Sequence, residues 1–505
     1  MTKYFKVLVL TLFIGNLSYS QNITLKVIGI KDTTVNLIKY VGNKLYYADT
    51  AELKGGKVTF DGSKQEPGIM GLLLPGQKYF EFVFNKEEVN IEVKSPNYVE
   101  TMVINKSNEN KIFLSYMKYI KEQREKADQL REGQKEITDE AKKKEIDEQI
   151  RKIGDDVLAY QEKVVKENPT TLVSKIISMS SDIKIPEAPL KEDGTKDENF
   201  GYFYMRDHYF DNIDLTDDRL VNTPILQNKL EYYYSKNMLL QHPDTLIKYI
   251  KPVMDKIPEG SMMYRFFVTN ITSAFEKSKI MGMDKVMNFM IWNYYCSLDK
   301  NGNYKGYWME QDKLEDLCKD TKFRIRLMIG EVPPNIILPD STNQKWYNLY
   351  KEEADYTILY FWDPDCGHCK KVTPQLQKLY AQKLQGRNVK VFAVGKATGD
   401  DFEHWKKFIK KEGLTFINVG VTRDLYNKAK EDPYSVIPSK TTLESINYQE
   451  TYDIYSTPRM WVLDKDKKII AKSLSIAQVE RFLDELQGHK DDPKIFDLEE
   501  TEDIK

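Results

Sequence analysis

The sequence predicts a multidomain chain: a small antiparallel β domain, an all-α middle region and a C-terminal α/β domain. Three textures carry that reading. From Gln21 to about Lys94, short alternating runs are broken by Gly, Pro, Asn and Asp, which is the period-2 signature of strands. After Asn105 helical periodicity dominates until about Met328, and from Glu331 strand and helix signals alternate. A length of 505 residues leaves room for about three domains of ordinary size.

Residues 1–20 carry Lys3 and Lys6, an apolar run from Val7 to Ile14, and Ser18-Tyr19-Ser20 ahead of Gln21, the layout of a cleavable secretory signal peptide. The run falls short of the ~20 residues that span a bilayer. No later segment is long and apolar enough either, so the mature chain is expected to have no transmembrane segment. A lipid-anchored bacterial protein would need a cysteine at the cleavage point, whereas the first cysteine is Cys296. The expectation is an exported protein, in a compartment where disulfides persist. The formal charge of −2, from 75 basic and 77 acidic residues, supplies no global field for nucleic acid or an acidic membrane.

The β-rich N-terminal domain, residues 21–105, contains neither Cys nor His and offers no chemistry of its own. The helical domain, residues 106–330, opens with a charged segment in which Ile146, Ile150, Ile153, Val157, Tyr160 and Val164 form a heptad seam. With Ile112, Tyr116 and Ile120 ahead of Gly133, it reads as a hairpin packed on its own domain in preference to a dimerising or partner-binding coil. Dimerisation through the helical region stays open. A polar linker from Ser181 to Asn199 leads to helices rich in aromatics, such as Tyr232-Tyr233-Tyr234 and Trp292, which fit core positions.

Residues 331–488 give strand TILYFW, a helix from Lys370 to Lys383, strand KVFAVG, a helix from Asp401 to Lys411 and strand FINVG. A long polar excursion then leads to a hairpin, STPRMWVLD with KIIAKSL, and a closing helix from Ile476 to Leu486. Residues 489–505 read as a flexible acidic tail.

The chemistry sits where the buried strand turns into a helix, at Cys366-Gly367-His368-Cys369. A thiol at a helix N-terminus meets unpaired N–H groups and the positive end of the macrodipole, which favour a thiolate. Cys366 takes that place, with His368 beside it to lower the thiol pKa further, and Cys369 lies one turn inward. The inferred reaction is exchange: Cys366 attacks a substrate disulfide and Cys369 resolves the mixed disulfide. Zinc would need two further ligands, and Cys296 and Cys318 form no second Cys-x-x-Cys, so no metal is assigned. Those two are most simply read as separate core cysteines, with a disulfide between them as the second choice.

Trp362 with the CGHC motif, Pro374 in the following helix, and Thr457-Pro458 before MWVLD resemble the thioredoxin fold of exported TlpA-like disulfide reductases. The resemblance covers residues 331 to about 487. It implies a redox-active Cys366–Cys369 disulfide, no cofactor, and a substrate groove shaped by Trp362, Thr457 and a cis Pro458. It further implies protein disulfide substrates and an envelope thiol electron donor, in the periplasm or cell envelope of a Gram-negative bacterium. The N-terminal modules look like those of unassigned function that precede such domains.

The sequence departs from the pattern at the place of a buried acid, where it has Tyr360, and at a common Glu position, where it has Val372. The proton acceptor for Cys369 is therefore unassigned. Asp363 and Asp365 oppose thiolate formation, while Gly367-His368 resembles protein disulfide isomerase, whose potential of about −180 mV lies ~90 mV above thioredoxin's. An intermediate poise follows, and it leaves reductase and isomerase directions open. The leading function is thiol-disulfide exchange with envelope proteins. The alternative is an envelope binding or scaffold protein in which the thioredoxin-like domain is accessory.

Overall fold

The computed structural model describes residues 21–498; the expected signal segment, residues 1–20, lies outside them, as do residues 499–505. The alternating N-terminal runs form strands β1 (Asn22–Ile28), β2 (Thr33–Val41), β3 (Lys44–Leu53), β4 (Lys57–Asp61), β5 (Gly68–Leu74), β6 (Lys78–Phe84), β7 (Val89–Lys94) and β8 (Val103–Lys106). They make two four-stranded sheets, in the orders β4-β1-β7-β8 and β3-β2-β5-β6. Alternate residues such as Ile23, Leu25 and Val27 on β1 and Phe82 and Phe84 on β6 meet in one core.

The expected all-antiparallel arrangement is corrected at one pair: β1 runs parallel to β7, from Ile23 beside Val89 to Ile28 beside Lys94. The chain visits the second sheet between these strands and returns in the same direction. Period-2 alternation tells which face a side chain takes and carries no information on the direction of a non-consecutive neighbour.

The charged hairpin forms from helices Asn108–Lys135 and Glu140–Glu167, the first running through Gly133. Ser107 and Asp139 cap their N-termini. Tyr119 stacks on Tyr160 at 4.0 Å between the arms, and Gln161 donates to the Tyr116 hydroxyl at 2.9 Å. The root is fixed to the sheet by Asn110, whose carboxamide bonds Val83 N at 2.8 Å and Val83 O at 2.7 Å.

Compactness divides the chain inside the expected helical region. Among the described residues, 21–241 together with 249–267 form one unit, and 242–248 with 268–498 form the other. Helical periodicity marks a buried stripe without naming the neighbour that buries it.

In the second unit, β9 (Ile337–Pro339) and β10 (Trp346–Asn348) form a small ribbon. Next come β11 (Tyr356–Trp362), β12 (Val389–Gly395), β13 (Ile417–Val419), β14 (Arg459–Leu463) and β15 (Ile469–Lys472), arranged as a five-stranded mixed sheet in the order β13-β12-β11-β14-β15. The strand β11 is buried on both sides: Ile358, Tyr360 and Trp362 join the core under helices Gly367–Leu379, Asp401–Lys411 and Ile476–Leu486. Leu359 and Phe361 join the opposite core.

That opposite core corrects the reading of a polar excursion. Residues 423–454 form short helices whose sparse apolar residues, Leu425, Val436, Tyr448 and Tyr452, cover the second face of the sheet. Their spacing is too irregular to show a helical period.

The tail is also corrected in its described part. Lys494 and Arg387 pair with Asp484 at 2.7 Å, Arg387 also holds Asp492 at 2.7 Å, and Glu480 accepts from the backbone N–H groups of Ile495 and Phe496. Phe496 is buried in the core. Composition made the segment look solvated; its charges are engaged by partners about a hundred residues away in sequence for Arg387 and nearer for Asp484 and Glu480.

Candidate functional site: a dithiol at a helix N-terminus

β11 ends at Trp362, and the next residues reverse the chain. The Asp363 carboxylate accepts from Asp365 N at 2.8 Å, and Cys366 N donates to Asp363 O at 3.2 Å. Cys366 is the N-cap of helix Gly367–Leu379, with extended backbone and no side-chain cap bond. Its Sγ, half-buried, donates to Thr457 O at 3.3 Å. Cys369 is 0% exposed, one turn inward, and its Sγ accepts from Asp363 N at 3.5 Å. Both are free thiols.

The two environments push the thiols apart. Burial raises the Cys366 pKa, but the N–H groups of Cys369 and His368 at the helix start outweigh it, and the net shift is downward. Burial dominates at Cys369 and pushes it up to about 12, despite the Asp363 N–H. The fold therefore favours a thiolate on the accessible sulfur and a proton on the enclosed one.

Of the other residues expected here, Gly367 and His368 are exposed in the first turn of the helix, and Thr457 is half-buried against Cys366. The Thr457-Pro458 peptide is cis, and Pro458 is buried. Trp362 is 1% exposed, and its ring packs on Phe408 with centroids 5.1 Å apart. It also lines a 180 Å³ cavity together with Thr457, Tyr455 and Lys396. Burial of so apolar a ring is favourable. Tyr360 is fully buried and shares a 2.8 Å hydrogen bond with Thr373. Burial, then the neighbouring Cys369, push its hydroxyl well above the usual value, so it stays protonated.

Sequence reasoning missed the basic side chains around the motif. Lys396 lies 3.4 Å from Asp363 and 3.1 Å from Asp401, and His404 Nδ1 lies 2.8 Å from Asp365, with Lys370 at 4.0 Å. The hydrogen bond from His404 holds the Asp365 carboxyl below its ordinary value. The two aspartates thus oppose a Cys366 thiolate less than their bare charges imply. Asp365, Asp401 and His404 cluster within 4.8 Å, yet all lie toward the surface and Lys396 already serves Asp401. No signal links His404 to Asp365 across 39 residues of sequence.

Cys296 and Cys318, read first as separate, are joined in a disulfide with Cα atoms 5.5 Å apart. They lie 22 residues apart, and chain spacing alone could not reveal that their helices bring them together.

A mixed sheet carrying an asymmetric Cys-x-x-Cys at a helix start, faced by an X-Pro loop, defines a thioredoxin-like oxidoreductase domain. Residues 329–472 match the AhpC/TSA family, and the C-terminal domain belongs to it. Residues 21–129 match a domain of unknown function, DUF4369. No curated protein matches the chain. Among solved structures, a domain of a possible thiol-disulfide isomerase from Cytophaga hutchinsonii is 32% identical over 32% of this chain and 94% of its own, with a TM-score of 0.26. The thioredoxin domain of a thiol-disulfide oxidoreductase from Bacteroides vulgatus is 23% identical over 31% and 96%, with a TM-score of 0.25. A thioredoxin-like protein from Bacteroides caccae is 15% identical over 60% and 98%, with a TM-score of 0.29. Among the described residues, no helix is long and apolar enough to cross a membrane.

Proposed function

We propose that the protein is an exported thiol-disulfide oxidoreductase that exchanges disulfides with envelope proteins through Cys366 and Cys369. The observation that carries this reading is the asymmetry of the pair: one accessible thiol with a lowered pKa, and one enclosed thiol held protonated. In the reducing direction the Cys366 thiolate attacks one sulfur of a substrate disulfide, and the displaced substrate thiolate takes a proton. Cys369 then gives up its proton and attacks Cys366 Sγ. The Cys366–Cys369 disulfide forms, and the second substrate thiol leaves. Two electrons and two protons pass to the substrate, and an envelope thiol donor restores the dithiol.

Thr457 and Pro458 frame the groove for the substrate chain, and Gly367-His368 sets the poise. Tyr360 is excluded as the base for Cys369 by its own raised pKa. The test is trapping: Cys369→Ser, expressed with its leader, should accumulate reductant-sensitive adducts with envelope proteins, and Cys366→Ser should not. Equal adducts from both variants, or none from either while the wild type turns over, would sink the proposal. The reduction potential of the pair then separates reductase from isomerase.

A further inference from the structure

We propose that a cavity of 600 Å³, lined by Arg459 next to the Thr457-Pro458 peptide, binds a small organic carboxylate that also carries a hydrogen-bond donor, with Arg459 holding the carboxylate and Asn288 accepting from the donor. The cavity lies wholly within the C-terminal unit. It is lined by residues of helix Asp284–Met290, by Arg324, Leu327 and Met328, and by residues of the segment Tyr452–Ile454, β14 and β15. Its volume falls within the range of small-molecule sites.

Most charges that line it are already satisfied. Arg324 engages both oxygens of Asp453, at 3.2 and 3.4 Å. Lys472 Nζ lies 2.7 Å from Asp284 and 2.8 Å from Leu327 O. Arg459 is different. Its Nε is buried with no hydrogen-bond partner among the described residues, and its Nη2 reaches only Ser456 Oγ at 3.3 Å. Burial disfavours its charge, which Asp453 restores only in part. Guanidinium groups in this situation take a carboxylate through paired N–H donors.

Asn288 supplies the second, independent observation. It is 2% exposed, its Nδ2 donates to Asp284 O at 2.8 Å, and its Oδ1 has no partner. The bond to a carbonyl fixes which end is the amine, so the orphan is an acceptor and calls for an N–H or O–H from the ligand. Buried polar atoms are rarely left unmet. Met287, Met328, Ile454 and Trp461 offer apolar surface for a short carbon skeleton. Glu276, Asp284 and Asp453 line the same space and disfavour a doubly charged anion such as phosphate. A 2-hydroxy or 2-amino acid carries a carboxylate, a donor and a short carbon skeleton in one molecule.

The test is calorimetric titration of the full-length reduced protein with lactate, glutamate, propionate and inorganic phosphate. Lactate or glutamate should bind at one site, and Arg459→Gln should weaken that binding about tenfold or more. Asn288→Ala should weaken lactate while leaving propionate unchanged, which keeps the proposal testable if Arg459→Gln fails to fold. The Cys366→Ser/Cys369→Ser double variant should bind as the wild type does, so the result stands apart from the exchange reading. Absence of binding by both acids at millimolar concentration, binding by phosphate alone, or affinities unmoved in both Arg459→Gln and Asn288→Ala would overturn it.

Discussion

Alkylating each thiol alone measures the asymmetry on which exchange depends. In Cys366→Ser the remaining thiol of the motif is Cys369, which burial pushes up from 9.0 to about 12. Three pH units disfavour the thiolate by ~4 kcal/mol, so near neutrality its thiolate population is ~10³ lower than that of an ordinary thiol. A more basic sulfur is a better nucleophile, and a Brønsted slope of about 0.45 returns ~20-fold. The net expectation is a rate with iodoacetamide about fiftyfold below that of an unstructured cysteine peptide at pH 7, before burial reduces access further. In Cys369→Ser the surviving Cys366 should react faster than the same peptide, since its pKa lies below the usual value. The other two cysteines are joined in a disulfide and stay silent. Equal rates for the two variants, or faster alkylation of Cys369, would show that the fold does not assign the roles of nucleophile and resolver.

Removing the hydrogen-bond partner of Asp365, by His404→Ala, should raise the Cys366 pKa and slow its alkylation at pH 7 by less than about fivefold, because an exposed pair contributes little; an unchanged pH profile would rule out that coupling. Lys383→Met should cost at least ~1 kcal/mol in urea unfolding, since it leaves the buried Glu480 carboxylate with only the backbone N–H groups of Ile495 and Phe496 and takes one cation from Asp484; no measurable cost would mean Lys494, Arg387 and those N–H groups suffice. Burial raises the Asp484 pKa, but Lys383, Lys494 and Arg387 more than offset it and hold the carboxyl low. Its stabilisation is therefore present above the unfolded value near ~3.9 and lost as pH falls through the depressed folded value, so Asp484→Asn should flatten the acid limb of stability against pH. Joint replacement of Cys296 and Cys318 by Ala should lower stability by about 2–4 kcal/mol for a loop of 22 residues; no change in the denaturation midpoint would leave the bridge without a stabilising role.

What the sequence revealed was local. The strand-turn-helix that carries the dithiol spans residues 356–379, and each of its signals acts over a few positions: a buried apolar strand run, and a Cys-x-x-Cys where it turns into a helix. The helices Asp401–Lys411 and Ile476–Leu486 were equally plain, because their apolar stripes repeat every three or four residues. Ser475 closes the second with a capping box.

What stayed hidden depends on partners far apart in sequence. The parallel pairing of β1 with β7 joins segments more than sixty residues apart, and no pattern within either strand states its neighbour's direction. His404 reaches Asp365 across 39 residues, so the charges that temper the two aspartates could not be weighed from the motif alone. Trp362 illustrates a subtler limit. Its position on β11, in phase with Ile358 and Tyr360, puts its ring in the core, while it also lines the cavity that holds Thr457. Phase along the strand decides which face a side chain takes. The same phase sends Tyr360 inward beneath Cys369, where a hydroxyl held protonated replaces the buried acid of related sites. Release of the Cys369 proton must then follow the chemistry at Cys366, and the substrate thiolate displaced in the first step is a base available at that moment.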